Sequence, residues 1–228
     1  MDYLETINVS KAYTPGKGSI PVQVLNNISL VVKPGETIGI TGCSGAGKTT
    51  LGLILTGIIP PDKGRLCFNG IDFWHANTID RKQINRRLQM VFQHPESTFD
   101  PRWTIRKTLC EPFMLNNIKP DFLTLANRLS TVGLDFSVLD RRPHQLSGGE
   151  LQRIAIARVM ILHPAVVVLD EPTAMLDVLT QARIMGLLKQ IQQNTQVGYI
   201  LISHDNDLVQ KFCHRVFRLE NACLISEP

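Results

Sequence analysis

No stretch of this chain reaches the roughly 18 consecutive apolar residues that a membrane-crossing helix needs. The first residues, MDYLETINVSKAY, also lack the charged-then-apolar pattern of an export signal. A soluble, unexported chain is therefore expected. Cysteine is sparse: Cys43, Cys67, Cys110, Cys213 and Cys223 are scattered, odd in number and without a Cys-x-x-Cys pair. That excludes a disulfide framework or a metal cluster and suits a reducing compartment. A large charge surplus is missing too, since the net charge is only +4. The basic residues gather at Arg81-Lys82, Arg86-Arg87 and Arg141-Arg142, and no zinc-finger spacing or RNA-binding aromatic motif accompanies them. Solvated helix and loop surface accounts for these clusters better than contact with acidic lipid or nucleic acid. Repeats, low-complexity tracts and linkers are absent. What remains is a 228-residue chain, 43% hydrophobic and 19% charged. Such a chain can bury one sizeable core, or a core with a small subdomain.

Periodicity orders the segments. Residues 4–9 and 22–32 alternate apolar and polar and are rich in Val and Ile, which predicts strands of a partly exposed antiparallel sheet. Pro34-Gly35 ends the second. ETIGITG, residues 36–42, reads as a short buried strand that leads into a glycine loop and a helix from about Lys48 to Thr56. GRLCFNG (64–70) predicts a strand, residues 80–88 a basic helix, and LQMVFQ (88–93) another strand. Residues 105–142 show helical periodicity broken by Pro112 and Pro120, which predicts a small helical subdomain. A helix from Gly149 to His163 precedes AVVVLD, residues 165–170, whose continuous apolar run marks a central parallel strand. A helix over 178–193, the strand GYILISH, a short helix and two final strands complete an α/β order. Residues 1–104 and 143–228 are expected to form the core with its antiparallel β subdomain.

GCSGAGKT, residues 42–49, fits G-x-x-x-x-G-K-[ST] between a predicted strand and a predicted helix, as a phosphate-binding loop requires. Its glycines free backbone N–H groups for phosphates, Lys48 brings a charge to the β/γ oxygens, and Thr49 offers a hydroxyl to Mg²⁺. Asp170, at the end of an apolar strand, is suited to hold the hydrated Mg²⁺, and Glu171 to polarise the attacking water. Gln93 and His204 each follow an apolar run. From there they either reach the γ-phosphate and Mg²⁺ or serve as ordinary polar residues at a strand-to-loop junction. Cys43 lies inside the loop, where N–H groups and Lys48 would activate a thiol, although a small residue that fits is the simpler account.

LSGGELQR, residues 146–153, opens a second helix with a serine and two glycines. Unpaired N–H groups and a positive dipole make that start an anion site as well. One chain has no use for both at a single nucleotide. Two chains arranged head to tail do, because Ser147, Gly148 and Gly149 of one then close on the nucleotide held by the other.

These elements, in this order, resemble the ATP-binding subunits of ABC transporters over the whole chain, an α/β P-loop ATPase fold with antiparallel β and helical subdomains. The resemblance implies that Tyr13 stacks on adenine and that Gly42, Cys43, Ser44, Gly45, Ala46, Gly47, Lys48, Thr49 and Thr50 bind ATP. Gln93 is then the Q-loop glutamine and a contributor to Mg²⁺ beside Thr49 and Asp170. Ser147, Gly148 and Gly149 are the signature acting in trans, Asp177 belongs to the nucleotide-binding set, and Glu171, His204 and Lys48 are catalytic. VFQHPESTFDPRWTIRKTLCEP (91–112) and RRPHQLSGGELQRIAIAR resemble the bacterial peptide and nickel uptake branch. That branch implies a second ATPase subunit, often a different chain, two membrane permeases and an extracellular substrate-binding protein, with this subunit peripheral on the cytoplasmic face. Oligopeptide members carry a C-terminal extension, and a chain ending at Pro228 is more similar to nickel or metal-chelate members, with dipeptide or oligopeptide import as the alternative. ABC ATPases of DNA or ribosomes fit less well, because no coiled coil separates the loop from the signature and only one cassette is present. A P-loop kinase would not explain LSGGE, and only the resemblance at 91–112 speaks against export.

Two departures stand out. Glu150 replaces the family's usual Gln, and EPTAMLD replaces EPTSALD, so Ala174 lacks a hydroxyl and Met175 is bulkier than alanine. Both lie on the side expected to serve the partner's nucleotide. An asymmetric heterodimer is therefore expected, in which this chain's loop and the partner's signature form the more active site.

Overall fold

The computed structural model describes residues 3–14, 16, 18, 20–174 and 176–227. Met175, part of the second departure, lies outside them. The chain divides into two compact units: Met1–Met90 with Ala165–Glu171 and Gln196–Pro228, and Val91–Pro164 with Pro172–Thr195.

The first unit is built on two sheets. One is antiparallel, with strands in the order β2 (Val22–Val32), β1 (Leu4–Tyr13), β4 (Lys63–Phe68) and β5 (Ile71–Asp72). Leu4 and Thr6 face inward, opposite Val32 and Leu30. Register shifts between Thr6 and Val9, and the left-handed φ of +53° at Asn8, mark a bulge. The alternation is lost there while pairing continues, so β1 runs to Tyr13 instead of ending at residue 9. Asn69-Gly70, both at positive φ, turns β4 into β5. The expected strand over 64–70 is thus a strand and a tight hairpin, for which Asn-Gly is a strong local signal.

The second sheet follows the order β10-β9-β3-β8-β7-β6. Its central strands β3 (Thr37–Thr41), β8 (Gly198–Ile202) and β7 (Val166–Asp170) are parallel and buried at every position. That burial is why they read as unbroken apolar runs. β9 (Arg215–Glu220) is parallel to β3, and β10 (Cys223–Glu227) folds back on β9. β6 (Leu88–Val91) is shorter than expected, and Gln93 lies beyond it in a bend. α1 (Lys48–Leu55) lies against β7 and β8. α7 (Asn206–Phe212) packs on β3 so closely that a Cβ on Gly39 would meet Val209 at 2.3 Å. α2 (Thr78–Arg87) starts two residues earlier than its basic pattern suggests, because the Asn77 side chain accepts the N–H of Asp80 as its cap.

The second unit is helical. α3 (Ile105–Leu115) and α4 (Phe122–Thr131) pack on α5 (Gly148–Met160), and α6 (Val178–Thr195) completes the set. Pro112 does not break α3 as expected. It is buried inside the helix, and Asn116 Nδ2 donates to its carbonyl at 2.8 Å. Losing one N–H near the last turn is tolerated where the ring is packed. The helix opened by LSGGE ends at Met160, not His163, which sits at φ +51° before Pro164. The Arg158 guanidinium ties the unit together, donating to Thr98 O at 3.0 Å and to the Glu111 carboxylate, with Phe99 beside it at 5.8 Å.

Candidate active site

The loop from Gly42 to Gly47 leaves the end of β3 and enters α1. Gly42 (φ +142°) and Gly47 (φ +101°) take conformations closed to other residues, and a Cβ at either would lie 2.5 Å from Leu219 O or 2.7 Å from Val24 O. Gly47 is the N-cap of α1, gives no side-chain hydrogen bond, and is followed by no acid in the first turn. No acid of the helix's own first turn therefore compensates its positive end. Lys48 Nζ donates to Gly42 O at 2.7 Å and Cys43 O at 3.0 Å, which holds the ammonium over the loop. Cys43, Ser44 and Gly45 are exposed, while Ala46, Gly47 and Thr50 are half-buried. Oriented N–H groups and a tethered ammonium fit a polyphosphate.

Opposite the loop, Thr49 Oγ1 donates to Asp170 Oδ2 at 3.0 Å. Asp170 ends β7 and is 3% exposed. Burial raises its carboxyl above the usual range and the Glu171 charge adds to this, while the Thr49 hydroxyl and Lys48 oppose it. A buried carboxylate joined to a hydroxyl, with a lysine in its field, is the oxygen donor set that suits Mg²⁺. Glu171 turns sharply out of the strand, at φ +49°, with its N–H bonded to Ile202 O at 2.9 Å. A non-glycine residue there stores about 1–3 kcal/mol of backbone strain. The turn sets the Glu171 carboxylate beside His204, whose Nδ1 lies 2.9 Å from both oxygens. The imidazole is mostly exposed and the carboxylate mostly covered. The first unit therefore brings together Lys48, Thr49 and Asp170, and, at the next residue, Glu171 and His204. Tyr13, at the end of β1, exposes its ring, with Lys11 Nζ at 5.7 Å from the centroid.

The remaining candidates lie in the second unit. Gln93 is exposed. Ser147 caps α5: its Oγ accepts from Glu150 N at 3.3 Å, while Glu150 Oε2 accepts from Ser147 N and Oγ at 2.8 Å each. This reciprocal box places a carboxylate at the helix start, and the Ser147 bonds hold Glu150 below the ordinary range. Ser147, Gly148 and Gly149 line a cavity of about 380 Å³ together with Arg153, Asp177 and Arg183. Gly149 approaches α6 so closely that a Cβ would meet Thr180 at 2.8 Å. Asp177 accepts from Thr180 N at 3.0 Å and Oγ1 at 2.6 Å, which caps α6. The two arginines were not anticipated. Arg153 stands in the quoted LSGGELQR, but nothing in local sequence places Arg183 beside it.

Among the described residues no helix is long and apolar enough to cross a membrane. Residues 25–174 match the family model described as ABC transporter. The nickel import ATP-binding protein NikE of Escherichia coli is 40% identical over 231 residues, covering 99% of this chain and 86% of that one. NikE of Shigella sonnei is 42% identical over 205 residues, covering 89% and 76%. Among solved structures, the ADP- and phosphate-bound dimer of the ATP-binding cassette MJ0796 superposes with a TM-score of 0.87 at 27% identity, covering 98% of this chain and 97% of that one. CbiO1 of Clostridium perfringens, part of the ABC transporter complex cbiONQ, gives 0.82 at 29% identity, covering 99% and 88%. The chain belongs to the ABC transporter family.

Proposed function

We propose that this chain is the ATP-hydrolysing subunit of a bacterial importer that takes up nickel, free or held by a small chelator. The observation that carries the reading is the Thr49–Asp170 bond with the Glu171–His204 pair beside it, in a chain 40% identical to nickel import ATP-binding proteins. The subunit acts at the cytoplasmic face of the membrane as a peripheral protein, paired with a second ATPase chain beneath two permeases fed by an extracellular binding protein.

Tyr13 stacks on adenine, and the N–H groups of Gly42 to Thr50 surround the phosphates. Lys48 exchanges its loop carbonyls for the β/γ oxygens. Thr49 and Asp170, with Gln93, would hold Mg²⁺, which when bound neutralises charge on the transferring phosphoryl group. Glu171 orients the attacking water and takes its proton as the bond from the γ-phosphorus to the ADP oxygen breaks. His204, with hydrogen on Nδ1, fixes the Glu171 carboxylate in that direction. Ser147, Gly148 and Gly149 serve the partner's nucleotide, Asp177 lies on the same rim, and the segment 105–142 is the helical subdomain facing a permease loop. Because Glu150 holds a negative charge at the α5 start, we assign the higher activity to the site formed by this chain's loop and the partner's signature.

Nickel content of cells in metal-poor medium, beside uptake of a labelled dipeptide, tests the substrate. Lys48→Ala and Glu171→Gln are each expected to reduce nickel to background and spare the dipeptide, with Glu171→Gln losing about 10²–10⁴-fold in hydrolysis while retaining ATP. Unchanged nickel with lost dipeptide uptake would assign the chain to peptide import.

A further inference from the structure

The cavity at the start of α5 carries positive charge that the capping box does not explain. Two helix faces line it, with Gly149 and Arg153 of α5 at spacing i, i+4 and Thr180 and Arg183 of α6 at spacing i, i+3. They approach closely because Gly149 has no side chain to hold Thr180 away. Both faces lie in the second unit, so the cavity belongs to one compact body.

The two arginines differ in what they can still bind. Arg153 is committed within the chain: its Nη1 donates to Gly133 O at 2.9 Å and Val132 O at 3.5 Å, and its Nε to Gly149 O at 3.3 Å. Arg183 is exposed and enters no hydrogen bond or ion pair with the described residues. The neighbouring acids are engaged elsewhere. Asp177 accepts from Thr180 N and Oγ1, while Glu150 accepts from Ser147 and faces Arg141 at 3.9 Å. A guanidinium on a cavity wall with its five donors unspent is suited to an anion brought from outside the chain. The rim carries a second, apolar signal. Val178 and Leu179, which open α6 between the lining residues Asp177 and Thr180, are 78% and 72% exposed. Two adjacent apolar side chains at the edge of a charged cavity fit a surface that another protein covers.

We propose that Arg183 binds the terminal phosphates of the nucleotide held by the paired ATPase chain, at the site that Ser147, Gly148 and Gly149 serve. The proposal rests on the head-to-tail pairing given above. A triphosphate is the occupant because the guanidinium fork matches phosphate oxygens and the α5 start presents N–H groups to the same cavity. Arg183 then answers a need created by this chain's own sequence. Glu150 brings a negative charge to the α5 start, and Arg183 restores a positive one from the neighbouring helix.

Single-turnover hydrolysis in the purified transporter complex tests it, with this chain's own site silenced by Glu171→Gln so that the partner's nucleotide is read alone. Arg183→Gln should raise the ATP concentration for half-maximal rate about tenfold, and Arg183→Lys about threefold, since lysine keeps the charge and loses the fork. The effect of Arg183→Gln should shrink as salt rises. With the partner's site silenced instead, this chain's own site should keep its ATP dependence, which a folding defect would not allow. An unchanged ATP dependence at the partner's site, or an equal shift at both sites, would overturn the proposal. So would weaker association of the two chains without nucleotide, which would assign Arg183 to an acid of the partner chain. Ser147→Ala in the same complex separates this proposal from the pairing beneath it. If Ser147→Ala slows the partner's site and Arg183→Gln does not, only the role of Arg183 fails; if neither affects that site, the head-to-tail pairing fails with it.

Discussion

Burial of Asp170 has a consequence for stability that can be measured apart from catalysis. Its carboxyl is raised mainly by desolvation, so between 3.8, the unfolded value, and its higher native value the folded state holds the proton more tightly. Stability therefore falls as pH rises through that window, and the full cost is present above it. Asp170→Asn removes the charge and keeps a hydrogen-bonding oxygen for Thr49. Thermal denaturation without nucleotide should show a higher midpoint for the variant at pH 7, the gap closing as pH drops toward 3.8, while Mg²⁺-dependent hydrolysis is lost. A lower midpoint at pH 7 would mean that the Thr49–Asp170 bond outweighs desolvation. Glu171 is a second residue held against its local preference, in a left-handed backbone conformation whose N–H is bonded to the Ile202 carbonyl.

At the scale of elements, the two helix starts have different electrostatics. α1 begins with a glycine cap and no acid, whereas α5 begins with Ser147 and Glu150 in a reciprocal box. The first is an anion site kept open by the absence of side chains, and the second already holds a carboxylate. Elsewhere in the second unit, Arg158 links α5 to α3 and to the turn at 95–98. Arg158→Met keeps the apolar stem and leaves Glu111 and the Thr98 carbonyl unpaired. Chemical denaturation should register a loss of about 2–3 kcal/mol, and Arg158→Lys a smaller one, because lysine cannot fork between two acceptors. Sequence placed these elements well where the pattern was local. The runs TIGIT, VVVLD and GYILI are buried at every position, and periodicity alone identified them. It failed where packing overrode a local rule, as at Pro112, which stays within α3, and at Asn8, where a bulge carries β1 onward.

For the whole molecule, the proposed pairing of two ATPase chains makes Glu150 decisive. Glu150→Gln preserves the capping box, so stability should hold within about 0.5 kcal/mol. Removing one negative charge from a helix start should raise turnover at the site fed by the partner's nucleotide about two- to fivefold. Single-turnover hydrolysis in the paired complex, with this chain's own site silenced by Glu171→Gln, reads that site alone. An unchanged rate would show that Glu150 does not set the asymmetry.

The amino-acid order alone determined the phosphate loop, the buried strands and the acids that end one of them. These are signals of a few adjacent residues, governed by backbone conformation and burial pattern. Tertiary structure decided which distant side chains meet. Thr49 reaches Asp170 across 121 positions, and Glu171 reaches His204 across 33. Those encounters depend on β3, β8 and β7 being neighbours in one parallel sheet, an order fixed by how buried faces pack and not by any residue's own preference.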